Sequence, residues 1–461
     1  MLRASDLYDL AECAHRLALD RALPREARAE PDTVARLLLE AGLAHEERVA
    51  GELGWPRPEY PAGDLAAGAE ATRALLARGV AGVCQGVLVD GDRMAIPDLL
   101  ERRDGASALG DWHYVPGDIK AGLTPRADQV LQVAFAGLLL ERLQQRAPAS
   151  GFLVLGDGRR EEFSLGEVAR ITRACVARAG RIVAGEETTE PFLGAACARC
   201  RWRERCVPEM TARGDLSLVD GMTRARRSLL VEAGIRDVAA LAEVDAEAFA
   251  RRHELPFGLT ALVEQARALV RGRPSDPRPL DEAATWPRGL LVHVESDPLA
   301  GGEPCLVAWR PVTAPPERTA HMLLVGGEGA RFALDALEDA LAETDGPLLV
   351  FGARAVRALS RACELADLAP EREIRIERRI VDVRSMLRRA RAFLPVYRYT
   401  LDQVAAALRG EPPRHDIEAM PLFARRVLAG GAGHEQAAAC ARERLDQLAD
   451  VVRHLAPEIA R

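Results

Sequence analysis

The sequence predicts an α/β protein of more than one domain, and three observations carry that expectation. Between residues 80 and 120, short β-like runs, "VAGVCQGVLVD", "RMAIPDLLER" and "DWHYVPGDIK", alternate with Asp-Gly turns, and a long apolar helical pattern, "ADQVLQVAFAGLLLERLQ", follows them. From about residue 288 a second alternation opens with "GLLVHVES", "CLVAWRP" and "HMLLVGG". The 461 residues, 48% hydrophobic and 28% charged, are globular in composition and long enough for roughly two to four domains.

Taken in order, residues 1 to about 50 read as helices. "SDLYDLAECAHRLALDRAL" is apolar at helical spacing with Ser5 placed as an N-cap, and "DTVARLLLEAGLAHEERVAGEL" ends near Gly54. After the strand cluster and the long helix come a strand, "SGFLVLGD", and a helix, "SLGEVARITRACVARAGRIVAG". Helix, strands, helix, strand is the order of a core built around one sheet. A compact cysteine segment, "CARCRWRERC", closes this unit near residue 207. Two short helices joined at "EAGI" follow, then a similar set in "LPFGLTALVEQARALV", and the Pro- and Arg-rich "RGRPSDPRPLDEAATWPRG" reads as a linker. Beyond it the second alternation continues through the helix "ARFALDALEDALAET" and the strand "PLLVFG" to terminal helices.

A net charge of -7 excludes a broadly basic surface, so contact with nucleic acid must come through local arginine clusters or metal-bridged phosphates. "MLRASDLYDL" lacks the apolar core of a signal peptide, and no apolar run reaches membrane-helix length. The expectation is a cytoplasmic protein without membrane contact, whose nine cysteines are reduced thiols or metal ligands.

Lys120 is the only lysine among 62 Lys and Arg residues. Arginine replaces lysine wherever a broad, permanently charged group serves, but not where a compact ammonium must approach a reacting group. Asp118 lies two positions earlier in "VPGDIK", and Asp98 lies 20 residues before Asp118 in "IPDLLER". Residues i and i+2 of a strand share a face, and an adjacent strand would bring Asp98 beside them. Two carboxylates so placed suit a hard divalent cation, Mg²⁺ or Mn²⁺, with an ammonium to orient water or offset developing charge. The chemistry implied is phosphodiester hydrolysis.

Asp98 followed by Asp118-Ile119-Lys120 resembles the PD-(D/E)xK nuclease signature, and the surroundings resemble its RecB-like branch. By that resemblance the core is restriction-endonuclease-like. His45 in "GLAHEE" would be an additional metal ligand, Asp98 and Asp118 the main ligands, Lys120 the catalytic lysine and Gln132 in "LQVAF" a supporting polar group. The family often carries Tyr on the helix of the Gln, where this chain has Phe135.

Cys197, Cys200 and Cys206 form C-x2-C-x5-C, a spacing that lets neighbouring thiolates converge on one metal centre. RecB-like nucleases with an iron-sulfur staple take a further Cys from the first helix. By resemblance, then, Cys13 completes a structural 4Fe-4S cluster that closes a long loop. A zinc site with four thiolate ligands is the alternative that the spacing also permits. Cys84, Cys175, Cys305, Cys363 and Cys440 lie in apolar stretches and are expected to be buried thiols.

The same family carries helix-hairpin-helix units after the cysteines. In such units backbone amides bind phosphate, and here Arg224, Arg226 and Arg227 would add charge. Its C-terminal part resembles an RNase H-like, DEDD-type exonuclease. In "LVHVESDP", however, His293 stands where the first Asp would be and only Glu295 remains, and "AGHEQAAACARERLDQLAD" lacks the terminal metal motif. "RIVDVRSML" and "YRYTLDQVAAAL" keep the shape of the pattern. Two metals need more carboxylate than this, so a catalytically dead, degenerate RNase H-like α/β domain is expected.

The expected organisation is a nuclease domain with the Cys cluster over 1–208, a helix-hairpin-helix region over 209–272 and the degenerate domain over 288–461. The resemblance implies a metal-dependent DNA nuclease, by analogy an exonuclease on single-stranded ends. The alternative is a non-catalytic nucleic-acid-binding or scaffold subunit of a helicase or defence complex. The retained Lys120 speaks against it.

Overall fold

Cys13 interrupts what the apolar spacing predicts as one helix. In the computed structural model, which describes residues 1–298, 300–324, 326–411, 423–424, 427 and 433–460, α1 (Ala4–Glu12) and α2 (Ala14–Ala22) meet at Cys13, whose backbone is extended. Ser5 lies inside α1 rather than capping it. The two-residue strand β1 (Leu2–Arg3) fixes an earlier start, and the Arg3 amide donates to the Asp6 carboxylate at 2.6 Å. The fold is mixed α/β, in two compact units, Met1–Cys206 and Val207–Arg461.

In the first unit, α3 (Thr33–Leu53) starts where the Asp32 carboxylate accepts the Ala35 amide and stops at Gly54, which takes the left-handed conformation. α4 (Leu65–Ala77) leads into β2 (Gly82–Cys84), β3 (Leu88–Asp90) and β4 (Arg93–Ala95). A small sheet has the order β1-β4-β3. The main sheet joins β2 to β5 (Leu99–Ser107), β6 (Gly110–Ile119), β7 (Ser150–Val154) and β8 (Arg160–Ser164), in that order. All its pairings are antiparallel except β6 with β7, which run parallel. The parallel pair is joined by α5 (Ala127–Gln144), the helix that the apolar run predicts, and α6 (Leu165–Val183) follows β8.

Side-chain alternation along β6 divides the core. Tyr114 packs with Leu7, Leu17, Phe135 and Leu140 beneath α1, α2 and α5, whereas Val115 and Ile119 pack with Val49 of α3 and Phe152 of β7. At Gly117 an added Cβ would run into the Phe152 ring, so the close seating of β6 on β7 depends on the missing side chain. After α6 the cysteine segment passes through a 3-10 turn (Ala195–Arg199) into α7 (Arg203–Ala212).

The second unit begins with short helices, α8 (Arg224–Glu232), α9 (Val238–Ala242), α10 (Ala246–Arg252) and α11 (Thr260–Arg271). The Pro- and Arg-rich stretch after α11 does not hang free. Ser275 and Arg278 donate backbone hydrogen bonds to Phe393 and Ala390, and Trp286 is fully buried. From α11, Gln265 donates to the carbonyls of Leu394 and Val396 at 2.8 and 2.9 Å and accepts from the Tyr399 hydroxyl at 2.7 Å.

The sheet of this unit has the order β11 (Ala320–Leu323), β10 (Glu303–Pro311), β9 (Leu290–Asp297), β12 (Leu348–Val350) and β13 (Ile380–Asp382). Helices cover both faces, so the first half of β9, Leu290–Val292 with Val294, is apolar on both sides, whereas His293 and Glu295–Asp297 are polar. Leu290, Val292 and Val294 meet α12 (Gly326–Ala342) and α13 (Gly352–Leu365), and Leu291 meets the opposite layer. After α14 (Pro370–Glu377) and α15 (Val383–Arg389), that opposite layer is built by α16 (Leu401–Arg409) and α17 (His434–Leu455). Among the described residues no helix is long and apolar enough to cross a membrane.

Candidate active site

The register of β5 on β6, with Leu99 opposite Gly117, sets Asp98 across from Asp118. The two aspartates hold each other's backbone. The Asp98 amide donates to Asp118 Oδ1 at 3.2 Å, and the Ile119 amide donates to Asp98 Oδ2 at 2.8 Å. Lys120 continues the ladder of β6, its amide donating to the Val154 carbonyl at 2.8 Å. Its Nζ lies 2.9 Å from Asp118 Oδ2 and 3.9 Å from Asp98 Oδ2. Just beyond, Gly156 sits so close to the Ala121 carbonyl that a Cβ there would overlap it. The chain after Lys120 is therefore pinned to the end of β7.

The electrostatics follow from this crowding. Burial, and next the Asp118 charge, push the Asp98 carboxyl up to about 8, although Lys120 pulls the other way. Burial acts to lower Lys120, but the two aspartates outweigh it and hold the ammonium above its ordinary value. The ammonium is thus held in place by its two carboxylate neighbours. With both carboxylates ionised the site would carry net negative charge that burial makes costly, and a divalent cation would favour that ionised state over the raised Asp98 carboxyl.

Two further groups come from α3. Glu46 is raised by burial and lies within electrostatic reach of Lys120 and Asp118. Sequence reasoning did not single it out. Its only signal was adjacency to His45 on a helix whose docking against the sheet cannot be read from spacing. His45 is held below its ordinary value by burial and by Arg48, which lies 3.0 Å from its Nδ1. Because a guanidinium only donates, Nδ1 accepts from Arg48 and the buried Nε2 carries the imidazole proton, with the Leu155 backbone as a hydrogen-bonding neighbour, so Nε2 would have to lose that proton to take a metal. Gln132 is half-buried on α5, the helix after the Lys120 strand. Phe135, three positions on, is fully buried in the core and is not a substrate contact.

Among the described residues no three His, Cys, Asp or Glu side chains stand close enough together to enclose a metal ion. What fits is donor chemistry in the carboxylates of Asp98, Asp118 and Glu46. The same holds for the cysteines. The Cys200 thiol is pushed up chiefly by burial, with Arg16 opposing and Cys197 and Cys13 adding to it, so residues from both ends of the unit meet here. Cys197 Sγ accepts the Gly194 amide at 3.4 Å, and Cys206 is buried. None of the four is in a disulfide, and all are thiols of the soft-donor type that iron-sulfur clusters and zinc take.

Hydrogen bonds fasten this junction without any metal. The Trp202 indole donates to Asp20 Oδ1 at 2.6 Å, Arg28 Nε pairs with the same oxygen at 2.9 Å, and Ala29 and Arg201 are joined by a backbone bond at 2.9 Å. Of the other cysteines, Cys84, Cys305, Cys363 and Cys440 are buried and Cys175 is half-buried.

In the second unit, two of the three candidate DNA-contacting arginines serve local structure. Arg227 pairs with buried Asp215 at 3.0 Å, and Arg226 donates to the Gly221 carbonyl at 2.8 Å and lies over the Phe257 ring. Arg224 opens α8 after the Thr223 cap. On β9, His293 Nε2 lies 3.2 Å from Glu295 Oε2. Burial raises Glu295, but the His293 bond and charge, aided by Arg444, leave it below the usual carboxylate value. Asp382, from "RIVDVRSML", accepts the Gly352 and Arg384 amides at 2.7 and 3.0 Å, so this carboxylate caps α15.

Comparison with protein families finds no matching family, and comparison with curated proteins finds no similar one. The chemistry therefore rests on the geometry of the site itself.

Proposed function

We propose that this chain is a metal-dependent nuclease whose first unit has a RecB-like PD-(D/E)xK fold and cuts phosphodiester bonds at Asp98, Asp118 and Lys120. The observation that carries the proposal is the position of Nζ of the sole lysine, 2.9 Å from Asp118 and 3.9 Å from Asp98 among largely buried side chains. In an arginine-rich chain, an ammonium kept between two carboxylates is best explained by a charge-stabilising task at a reacting phosphate.

Asp98 and Asp118 would hold Mg²⁺ or Mn²⁺, with His45 and Glu46 beside them, and the ion would supply Lewis acidity toward the phosphodiester. As an ammonium, Lys120 would donate hydrogen bonds to the attacking water or to a phosphate oxygen and offset charge as it develops. Gln132 supports the site from α5. The substrate is DNA, by analogy single-stranded ends, in a cytoplasmic setting.

Cys13, Cys197, Cys200 and Cys206 would hold a structural 4Fe-4S cluster that staples the ends of the first unit, with zinc as the rival occupant. The second unit supplies helical hairpins and a degenerate RNase H-like domain for binding or architecture. The His293–Glu295 pair and the structural use of Asp382 favour that role.

The test is degradation of end-labelled single- and double-stranded DNA and RNA with Mg²⁺ or Mn²⁺ by the intact protein, Lys120→Ala and Asp118→Asn. Cutting by the intact protein alone supports the proposal. Equal behaviour of all three removes it.

A further inference from the structure

Helix α3 carries an exposed strip that runs straight into the candidate active site. Arg36, Leu39, Leu43 and Glu46 stand at i, i+3, i+7 and i+10, which places them along one side of the helix. The last of the four lies within electrostatic reach of Lys120 and Asp118. The two leucines are 61% and 53% exposed, while the helix buries Val49 against the sheet. At 1.5 Å of rise per residue, Leu39 lies about 10 Å up the helix from Glu46.

Exposed aliphatic side chains also occur on two other segments at this site. Ile96, two residues before Asp98, is 40% exposed, and Leu123, three residues after Lys120, is 37% exposed. Apolar surface left in water around charged carboxylates is costly unless a ligand covers it.

We infer that the strip from Leu39 to Leu43 seats unpaired nucleobases of the strand being cut, with Arg36 holding a phosphate at its far end. This rests on the nuclease reading of the Asp98, Asp118 and Lys120 site. The strip ends at the carboxylates, so what lies along it is the continuation of the chain whose phosphodiester reaches them. Bases offer flat apolar faces only when they are unpaired, because a duplex stacks them away. One cation at the far end followed by two leucines offers a strand a contact for one phosphate and apolar faces for neighbouring unpaired bases.

The test uses full-length protein carrying Lys120→Ala, with Mg²⁺, and two labelled oligonucleotides of equal length, one of thymidines and one with an abasic backbone. The thymidine strand is expected to bind about tenfold more tightly or better. Leu39→Ser with Leu43→Ser should reduce that strand to near the affinity of the abasic one, with the melting temperature unchanged. Equal affinities for the two strands, or a ratio unmoved by the leucine changes, would overturn the inference. Cleavage by the protein with Lys120 intact is read separately. Base-dependent binding without cleavage would remove the nuclease reading alone, whereas cleavage with base-independent binding would remove the leucine strip alone.

Discussion

Asp98 and Asp118 are locked reciprocally, the amide of Asp98 donating to Asp118 Oδ1 at 3.2 Å while the amide after Asp118 donates to Asp98 Oδ2 at 2.8 Å. Each carboxylate is therefore aimed by the other's strand. The positive charge between them is carried by Lys120, whose amine enters the same gap.

Lys120→Arg should not restore activity lost in Lys120→Ala. A guanidinium keeps the charge but is too broad for a gap that places one nitrogen 2.9 Å from Asp118 and 3.9 Å from Asp98. Both variants are expected to fall by about a hundredfold or more in steady-state cleavage of labelled DNA, with unchanged circular dichroism. Recovery in the arginine variant would show that positive charge alone suffices.

Asp20 accepts from the buried Trp202 indole and pairs with Arg28. Asp20→Ala leaves the indole N–H without its partner and should cost about 1–3 kcal/mol, read as a lower urea midpoint. Because this latch involves no thiol, the loss should persist in protein stripped of metal.

Protein reconstituted anaerobically with iron and sulfide should turn brown, and Cys13→Ser or Cys200→Ser should abolish the colour. Colourless protein that retains stoichiometric zinc by elemental analysis would assign the thiols to zinc instead.

The second unit should lose stability on acidification below about pH 6.5. His321 is held below its ordinary value of 6.5 mainly by burial, with Arg442 and His434 adding to it. His454 is lowered by burial against a weaker opposing effect of Asp276. The unfolded chain therefore takes up protons at these positions where the folded one does not. Their stabilising effect is complete above about 6.5 and is lost as pH falls through the lowered values. Glu295, held low beside His293, acts in the same direction at more acid pH. Urea midpoints of the full chain at pH 7.5 and 5.5 check this, and His321→Gln with His454→Gln should flatten the difference.

The meeting of Asp98, Asp118 and Lys120 was legible because it depends on short-range rules, namely strand alternation and a tight turn between neighbouring strands. Glu46 was not, since its reach to Lys120 depends on how α3 docks on the sheet. The break at Cys13 was hidden because Leu10, Ala14 and Leu17 keep helical apolar spacing across it and no Gly or Pro marks the extended residue. Strand β8 escaped notice because "REEFS" is a charged, half-exposed edge strand, without the apolar alternation that marks a buried one. The Pro- and Arg-rich stretch reads as a tether, yet its backbone finds partners at Ala390 and Phe393, more than a hundred residues on. Composition cannot reveal pairing at that distance.

The bond from Trp202 to Asp20 sets a schedule for synthesis. A ribosome delivers α1 and α2 long before it delivers the indole that fastens them, so those helices wait with their docking surface incomplete while most of the first unit emerges. Truncation just before residue 202 would leave α1 and α2 without their clasp.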